Sequence, residues 1–164
     1  MGVANLRIDK LEIYPSFESV GLNINVSGGR PLSCNIDIKD LYIENANNAI
    51  QICNVENVNI KATVNNWAKN LVYFVYKNGT EIKNGSLDIN AYSDIDSERA
   101  PLRFFEFESP VKNFKITGNL ERSNLKSDLT GSPFYIASRI SHLDVDVSKL
   151  NYKGYVKHNK IDWE

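Results

Sequence analysis

The sequence lacks the features that mark several large classes of protein. It has no run of about 18 apolar residues and no signal-peptide core, so no segment is expected to insert in a bilayer. Its 19 basic and 20 acidic residues nearly cancel, giving a net charge of −1. We therefore predict no basic surface for nucleic acid or anionic membrane. No window holds an apolar i, i+3, i+4, i+7 stripe over three turns, so no long amphipathic helix is expected.

Familiar chemical motifs are also missing. The chain has no Walker loop, no Gly-x-Gly-x-x-Gly and no Gly-x-Ser-x-Gly elbow. The histidines His142 and His158 are too few and too far from cysteine for a zinc site. The acids of residues 94–98 alternate, but the segment lacks the glycine and terminal glutamate of an EF-hand loop. We therefore predict no metal site and no cofactor.

What the sequence does contain is a repeated phrase that reads apolar, two polar, apolar, polar, apolar. Its middle apolar residues fall at positions 11, 41, 58, 87, 114 and 143, so the steps are 30, 17, 29, 27 and 29 residues. Self-similarity at this period is typical of repeat architectures. Close copies begin at Ile8, Ile38, Val55, Val111 and Ile140, and a stretched copy spans residues 82–89.

Each phrase ends in period-2 alternation, which predicts a strand with one apolar face. A second apolar or aromatic run follows each copy, at residues 20–26, 49–52, 71–76, 104–107, 134–136 and 154–156. A unit this small cannot bury its own apolar face, so neighbouring units must stack and share a core. The pattern predicts an all-β parallel solenoid of about six coils.

The two cysteines, Cys34 and Cys53, mark the ends of the second predicted coil. We expect free thiols. A disulfide stays open as an alternative, because one turn of a solenoid brings residues about one coil apart close together.

The repeated phrases and their turn asparagines resemble the pectin-lyase-type right-handed parallel β-helix, the fold of pectate lyases, polygalacturonases and many phage tailspikes. The resemblance covers about residues 5–157 and implies a single β-helix domain over residues 1–164, expected to be a fragment of a longer chain. No catalytic signature of the family is matched. The asparagines concerned are Asn45, Asn47, Asn48, Asn54, Asn57, Asn65, Asn66, Asn84 and Asn113.

Three long segments, residues 61–70, 90–101 and 118–133, are predicted to be loops that leave successive coils at one corner. Insertions at equivalent positions of a solenoid emerge on one face, often the binding face. Aromatic rings with nearby charges suit sugar rings and hydroxyls. The competing interpretation is that these are ordinary solvated loops. The predicted ligand contacts are Trp67, Tyr92, Asp94, Asp96, Glu98, Arg99 and Arg122.

Two sets of charged residues are candidates for catalysis. Glu106 and Glu108 alternate with phenylalanines, which predicts outward carboxylates roughly 6.5–7 Å apart, near the spacing of an inverting glycosidase. Asp88 is expected in an outward column with Lys115 and Asp144. A lyase would use Lys115 or an arginine as its base and an acidic cluster as a calcium site. The competing interpretations are a plain polar surface for the glutamates and a salt-bridge ladder for the column.

The sequence therefore favours a tailspike-like or related appendage module that binds a bacterial surface polysaccharide, located in a virion tail or outside the cell. The first alternative is a glycoside hydrolase or polysaccharide lyase. The second is a structural trimerisation or spacer module. A homotrimer is expected, because Tyr73 and Phe104 are predicted to form an exposed aromatic strip of the kind that marks interfaces.

Overall fold

In the part of the chain that the structure describes, ten strands form one sheet whose neighbouring strands are all parallel. The structure, a computed structural model, describes residues 4–25, 32–77, 81–95, 103–123, 134–140 and 142–153, with backbone only at 4 and 32–34. The strands are β1 (Ala4–Ile8), β2 (Leu11–Ile13), β3 (Val20–Asn25), β4 (Leu32–Cys53), β5 (Val55–Phe74), β6 (Ile82–Ser93), β7 (Arg103–Phe107), β8 (Val111–Arg122), β9 (Phe134–Ile136) and β10 (Leu143–Lys153).

The chain winds so that each coil lies on the one before it. Strands β1, β2 and β3 stack in turn on the beginning, middle and end of β4, and β4 stacks along its length on β5. The first half of β5 then pairs with β6 and its end pairs with β7. The expected all-β parallel solenoid is confirmed, but the described residues complete about four turns rather than about six.

Asparagines turn the chain at the corners of the coils. Asn45, Asn54, Asn57, Asn66, Asn84 and Asn113 all have positive φ, between 49° and 64°. Asparagine tolerates this left-handed backbone because its short side chain bonds locally, whereas most residues are strained there. Equivalent corners also bond between coils, since Asn113 Nδ2 donates to Asn84 Oδ1 at 2.8 Å. These six turn asparagines were anticipated from the sequence.

Apolar columns fill the interior of the solenoid. Ile38, Ile60, Leu87 and Ile116 are in register on successive coils, and all four are almost fully buried. On another wall Phe74 stacks on Phe107, with ring centroids 4.7 Å apart and planes within 8°. Phe105 and Phe134 stack in the same way at 5.5 Å. In-register stacking lets each coil bury the apolar face of the next, which a single coil cannot do alone.

The phrase alignment gives the wrong register for most coils. Leu11 does pair with Leu41, as expected, but Leu41 pairs with Ala62 rather than Val58. The phrase alignment assumes an offset of 17 residues here, whereas the partners are 22 residues apart at Ile38–Ile60 and, after a one-residue register shift, 21 apart at Leu41–Ala62. The phrase thus recurs at different positions around the coil.

The predicted loops are also corrected. Residues 61–70 lie entirely within β5, residues 90–93 complete β6, and residues 118–122 complete β8. Ala62 and Val64 are buried while Lys61 and Thr63 are exposed, so this stretch keeps the alternation of a strand. The parts of the second and third predicted loops at 96–101 and 124–133 lie outside the described residues.

Candidate functional site

The outer surface of the wall formed by β3, the ends of β4 and β5, β7 and β9 carries a connected polar and aromatic cluster. One column on it runs in register through Gln51, Tyr73, Glu106 and Tyr135. Residues after the strand ends extend the cluster on the same side. We call this cluster the tyrosine–arginine face, defined by Tyr73, Tyr76, Arg103, Glu106, Glu108, Tyr135 and Arg139.

Glu106 is the anchor of one half of the tyrosine–arginine face. Its side chain is buried, and Oε1 forms an ion pair with Arg103 Nη1 at 3.0 Å. Oε2 accepts a hydrogen bond from Asn70 Nδ2 at 2.7 Å, and the same amide donates to Asn48 at 3.0 Å. A buried carboxylate is stable when it is paired and hydrogen-bonded in this way. Glu106 therefore fixes the position of Arg103.

Glu108 organises the other half. Its Oε2 accepts a hydrogen bond from Tyr73 Oη at 2.6 Å and pairs with Arg139 Nη2 at 3.0 Å. Arg139 Nε also donates to the backbone carbonyl of Glu108 at 3.2 Å. Burial, reinforced by the bond to Glu108, raises the pKa of Tyr73 far above its usual range. Tyr73 is therefore a fixed neutral donor at any ordinary pH.

The two arginines each cover one tyrosine ring. Arg103 Cζ lies 4.2 Å from the centroid of Tyr135, and Arg139 Cζ lies 4.7 Å from that of Tyr76. Both contacts are within cation–π range. Tyr135 and Tyr76 still expose 39% and 41% of their surface. The face thus presents two exposed rings, each held by an arginine that is itself held by a carboxylate.

The structure changes the catalytic interpretation of the glutamates. Glu106 was expected to face solvent but is buried, because Asn70 of the preceding coil and Arg103 cover it. Glu108 follows the last residue of β7 and is half-buried. Both carboxylates are already engaged by an arginine and a second donor. A general acid and base flanking a sugar need carboxyls that can reach the scissile bond.

The sequence analysis placed Asp88 beside Lys115, and the structure does not. Asp88 pairs with Thr117, whose Oγ1 donates to Asp88 Oδ1 at 3.2 Å, whereas Lys115 is in register with Ser86 and Asp146. Strands β6 and β8 pair without a register shift at an offset of 29 residues, whereas the expected column assumed the 27 residues that separate Leu87 from Phe114. Asp88 instead lines a shallow groove of about 380 Å³ with Asp37, Lys39, Asn59, Lys61 and Ser86. Acids and lysines alternate there, so the groove has no strong charge of one sign.

Trp67 was expected to be an exposed ring in a loop, and that expectation is wrong. It lies in β5 with none of its surface exposed, because the ring packs on Phe104 at 5.7 Å inside the solenoid. Its Nε1 donates to the carbonyl of Arg103 at 3.1 Å. Arg122 is also buried, with its Cζ 5.6 Å from the Trp67 ring and Nη2 bonded to the carbonyl of Ile95 at 3.4 Å. These two side chains are structural in the described geometry.

Of the remaining predicted contacts, two are exposed at the surface. Tyr92 is the residue before the last in β6, exposes 44% of its surface, and has its hydroxyl hydrogen-bonded to Ser123 Oγ at 3.2 Å. Asp94 is exposed, and its backbone N–H donates to Asn66 Oδ1 at 3.3 Å. Both stay predictions as ligand contacts. Asp96, Glu98 and Arg99 lie outside the described residues.

The sequence analysis did not predict the tyrosine–arginine face as a group. Its residues come from three coils, and only the Arg103–Glu106 spacing is local. The strip of Tyr73 and Phe104 was expected to be exposed, but Phe104 is fully buried and Tyr73 half-buried. The exposed aromatic residues lie beside it, at Tyr76 and Tyr135. The only local signal for them is a tyrosine beside apolar residues, since Tyr135 lies between Phe134 and Ile136 and Tyr76 lies two residues after Phe74.

No family model, no curated protein and no solved structure matched the chain in comparisons with known proteins.

Other kinds of site have little support in the part of the chain that the structure describes. There, no three His, Cys, Asp or Glu side chains are grouped to hold a metal ion, and no helix is long and apolar enough to cross a membrane. Cys53 is a buried free cysteine, as expected, and burial raises the pKa of its thiol. A raised thiol pKa lowers reactivity, because the thiolate is the nucleophile.

Proposed function

We propose that the chain is a glycan-binding β-solenoid module of the tailspike or appendage type, which holds a bacterial surface polysaccharide on its tyrosine–arginine face. The observation that carries the proposal is the pair of exposed tyrosine rings, Tyr76 and Tyr135, each fixed by an arginine–carboxylate pair. Sugar rings stack on aromatic faces, and their hydroxyls take charge-assisted hydrogen bonds. Such a module belongs in a virion tail or outside the cell.

Pre-organisation supports this choice of surface. The guanidinium groups of Arg103 and Arg139 are already oriented by Glu106 and Glu108, so little side-chain freedom is lost when a ligand binds. The wall beneath them is a stacked parallel sheet with buried phenylalanines, which is a rigid support. Rigid elements hold binding groups more precisely than loops do.

The test is affinity electrophoresis through gels that contain purified bacterial capsular polysaccharides or lipopolysaccharides. We expect at least one polysaccharide to retard the protein, and Tyr76→Ala or Tyr135→Ala to weaken retention roughly two- to tenfold. Tyr14→Ala is the matched control, since Tyr14 is 64% exposed and follows β2 in the first coil. Equal loss in all three variants, or no retention by any polysaccharide, would contradict the proposal.

Two variants separate this surface from the corner that the sequence suggested. If Tyr92→Ala abolishes retention while Tyr135→Ala does not, the ligand binds at the end of β6 instead. The enzymatic alternative predicts release of reducing or unsaturated ends, lost in Glu106→Gln or Glu108→Gln. The spacer alternative predicts a stable trimer in sedimentation and no glycan retention.

A further inference from the structure

The charges at the tyrosine–arginine face do not cancel. Three cationic side chains stand there against two carboxylates: Lys69, Arg103 and Arg139 against Glu106 and Glu108. Lys69 is exposed, and its Nζ lies 6.0 Å from the centroid of the Tyr73 ring. It forms no ion pair with any residue that the structure describes. Because the whole chain has a net charge of −1, this positive excess is local to the face.

Within each ion pair of the face, the arginine is more accessible than its carboxylate. The Arg103 side chain is 18% exposed against 7% for Glu106, and Arg139 is 49% exposed against 28% for Glu108. Both carboxylate oxygens of Glu106 are engaged, one by Arg103 and the other by Asn70. A ligand that approaches the face therefore meets guanidinium groups more readily than carboxylates.

Arg139 keeps hydrogen-bond donors for a ligand. A guanidinium carries five N–H groups, and the bonds of Arg139 to Glu108 involve only Nε and Nη2. Lys69 lies on the same part of the face, because Tyr73 connects the two cations. Its ring lies beneath Lys69, and its hydroxyl donates to the Glu108 oxygen that pairs with Arg139. One anionic group placed beside Tyr73 would therefore be attracted by both.

We infer that the polysaccharide held on the tyrosine–arginine face is acidic, with a sugar carboxylate bound by Arg139 beside Lys69. A planar guanidinium matches the geometry of a carboxylate, and a lysine adds a point charge. The excess is one unit of charge, which one carboxylate balances, whereas a phosphate monoester carries about −1.5 to −2. The inference rests on the proposed function and narrows the ligand to polysaccharides that contain uronic acids or other carboxylated sugars.

The first experiment compares each acidic polysaccharide with its own uncharged form by affinity electrophoresis. The gels contain alginate, hyaluronate or an acidic capsular polysaccharide, either native or after carbodiimide activation and borohydride reduction, which convert each carboxylate to a hydroxymethyl group. We expect at least one native polymer to retard the protein and carboxyl reduction to weaken that retention roughly fivefold or more. Retention by the native polymer should also fall as sodium chloride rises from about 0.05 to about 0.5 M, because salt screens partly exposed charges.

The second experiment removes the excess charge with Lys69→Gln. Lys69 is exposed, so the substitution should not disturb the fold, which circular dichroism checks. We expect retention by the native acidic polymer to weaken roughly two- to fivefold, and retention by neutral polysaccharides to stay unchanged. Lys61→Gln is the matched control, since it removes the same charge from an exposed lysine in the part of β5 that pairs with β6. Each variant is referred to its own mobility in a gel without polysaccharide.

The outcomes separate this inference from the proposed function. The inference is overturned if carboxyl reduction leaves retention unchanged, if only neutral polysaccharides retard the protein, or if Lys69→Gln weakens retention no more than Lys61→Gln does. Glycan binding is still observed in each of these cases, so the proposed function survives. Retention by no polysaccharide, acidic or neutral, contradicts the proposed function and the inference together.

Discussion

Replacing Trp67 by alanine separates the sequence interpretation from the structure. An exposed sugar-binding ring would be removed at little cost, since surface substitutions change stability by about 0.5 kcal/mol or less. In the structure Trp67 is fully buried against Phe104 and beneath Arg122. Truncating a buried tryptophan costs roughly 3–5 kcal/mol through lost transfer energy and the cavity left behind. Because a domain of this kind is stable by only about 5–15 kcal/mol, the variant should be severely destabilised.

A second substitution at position 67 separates the contribution of apolar packing from that of the indole hydrogen bond. Trp67→Phe keeps most of the apolar contact but removes the Nε1 donor to the carbonyl of Arg103. We expect a cost of roughly 1–3 kcal/mol, which is the usual effect of losing one partner of a buried hydrogen bond. Tyr92→Ala is the control, because Tyr92 is an exposed aromatic residue on the neighbouring strand β6.

The assay is urea unfolding followed by tryptophan fluorescence and by circular dichroism. The chain has two tryptophans, so a Trp163→Phe background makes emission report on Trp67 alone. We expect blue-shifted emission that iodide does not quench in the native state. If Trp67→Ala unfolds within about 0.5 kcal/mol of the parent protein, and iodide quenches Trp67 freely, the packing described above is refuted.

Three further predictions concern the backbone at Asn84 and Gly118 and the hydroxyl of Tyr73. Asn84→Ala should lower the free energy of unfolding more than Asn84→Gly does. Both variants lose the hydrogen bond from Asn113, but alanine also adds roughly 1–2 kcal/mol of strain at the left-handed φ of 53°. Equal urea midpoints for the two variants would contradict this. Gly118→Ala should lower the free energy of unfolding by roughly 2–4 kcal/mol in the same assay. The φ of Gly118 is 125°, and an added Cβ would lie 1.9 Å from the Ile89 carbonyl oxygen. An unchanged unfolding midpoint would contradict that close approach. The raised pKa of Tyr73 stabilises the fold fully below the ordinary tyrosine value of 10.0, and this stabilisation is lost as pH rises above it. The melting temperature should therefore fall more steeply above pH 10 in the parent than in Tyr73→Phe, and parallel curves would count against the Tyr73–Glu108 bond.

Much of the fold could be predicted because solenoid stacking requires the same local signals in every coil. Alternating apolar residues and turn asparagines such as Asn84 and Asn113 appear directly in the sequence, and each has one structural meaning. Register could not be predicted in the same way. The repeated phrase predicts that Leu41 pairs with Val58, but Leu41 pairs with Ala62 and Val58 pairs with Ile36, and nothing local in the sequence marks where along the coil each phrase begins.

The candidate site was harder to predict for a related reason. Glu106 sits between phenylalanines and looks like an outward residue, yet Asn70 from the previous coil covers it. Tyr135 is positioned by Arg103, which lies far from it in sequence. Such contacts depend on register, so an error of two residues in register removes them. Trp67 was misplaced because Ala62 and Val64 continue the strand through a stretch that reads as polar.

The most direct test of the parallel in-register stack is a pair of nitroxide spin labels on exposed residues of adjacent coils. In a background without Cys34 and Cys53, labels at Thr63→Cys and Asn90→Cys should show strong spin exchange, because these residues are register partners about 4.8 Å apart. Labels at Lys61→Cys and Asn90→Cys are the control, since that pair is diagonal by two residues, roughly 7–8 Å apart, and should couple more weakly. Stronger exchange in the Lys61 pair, or none in either pair, would contradict the stack.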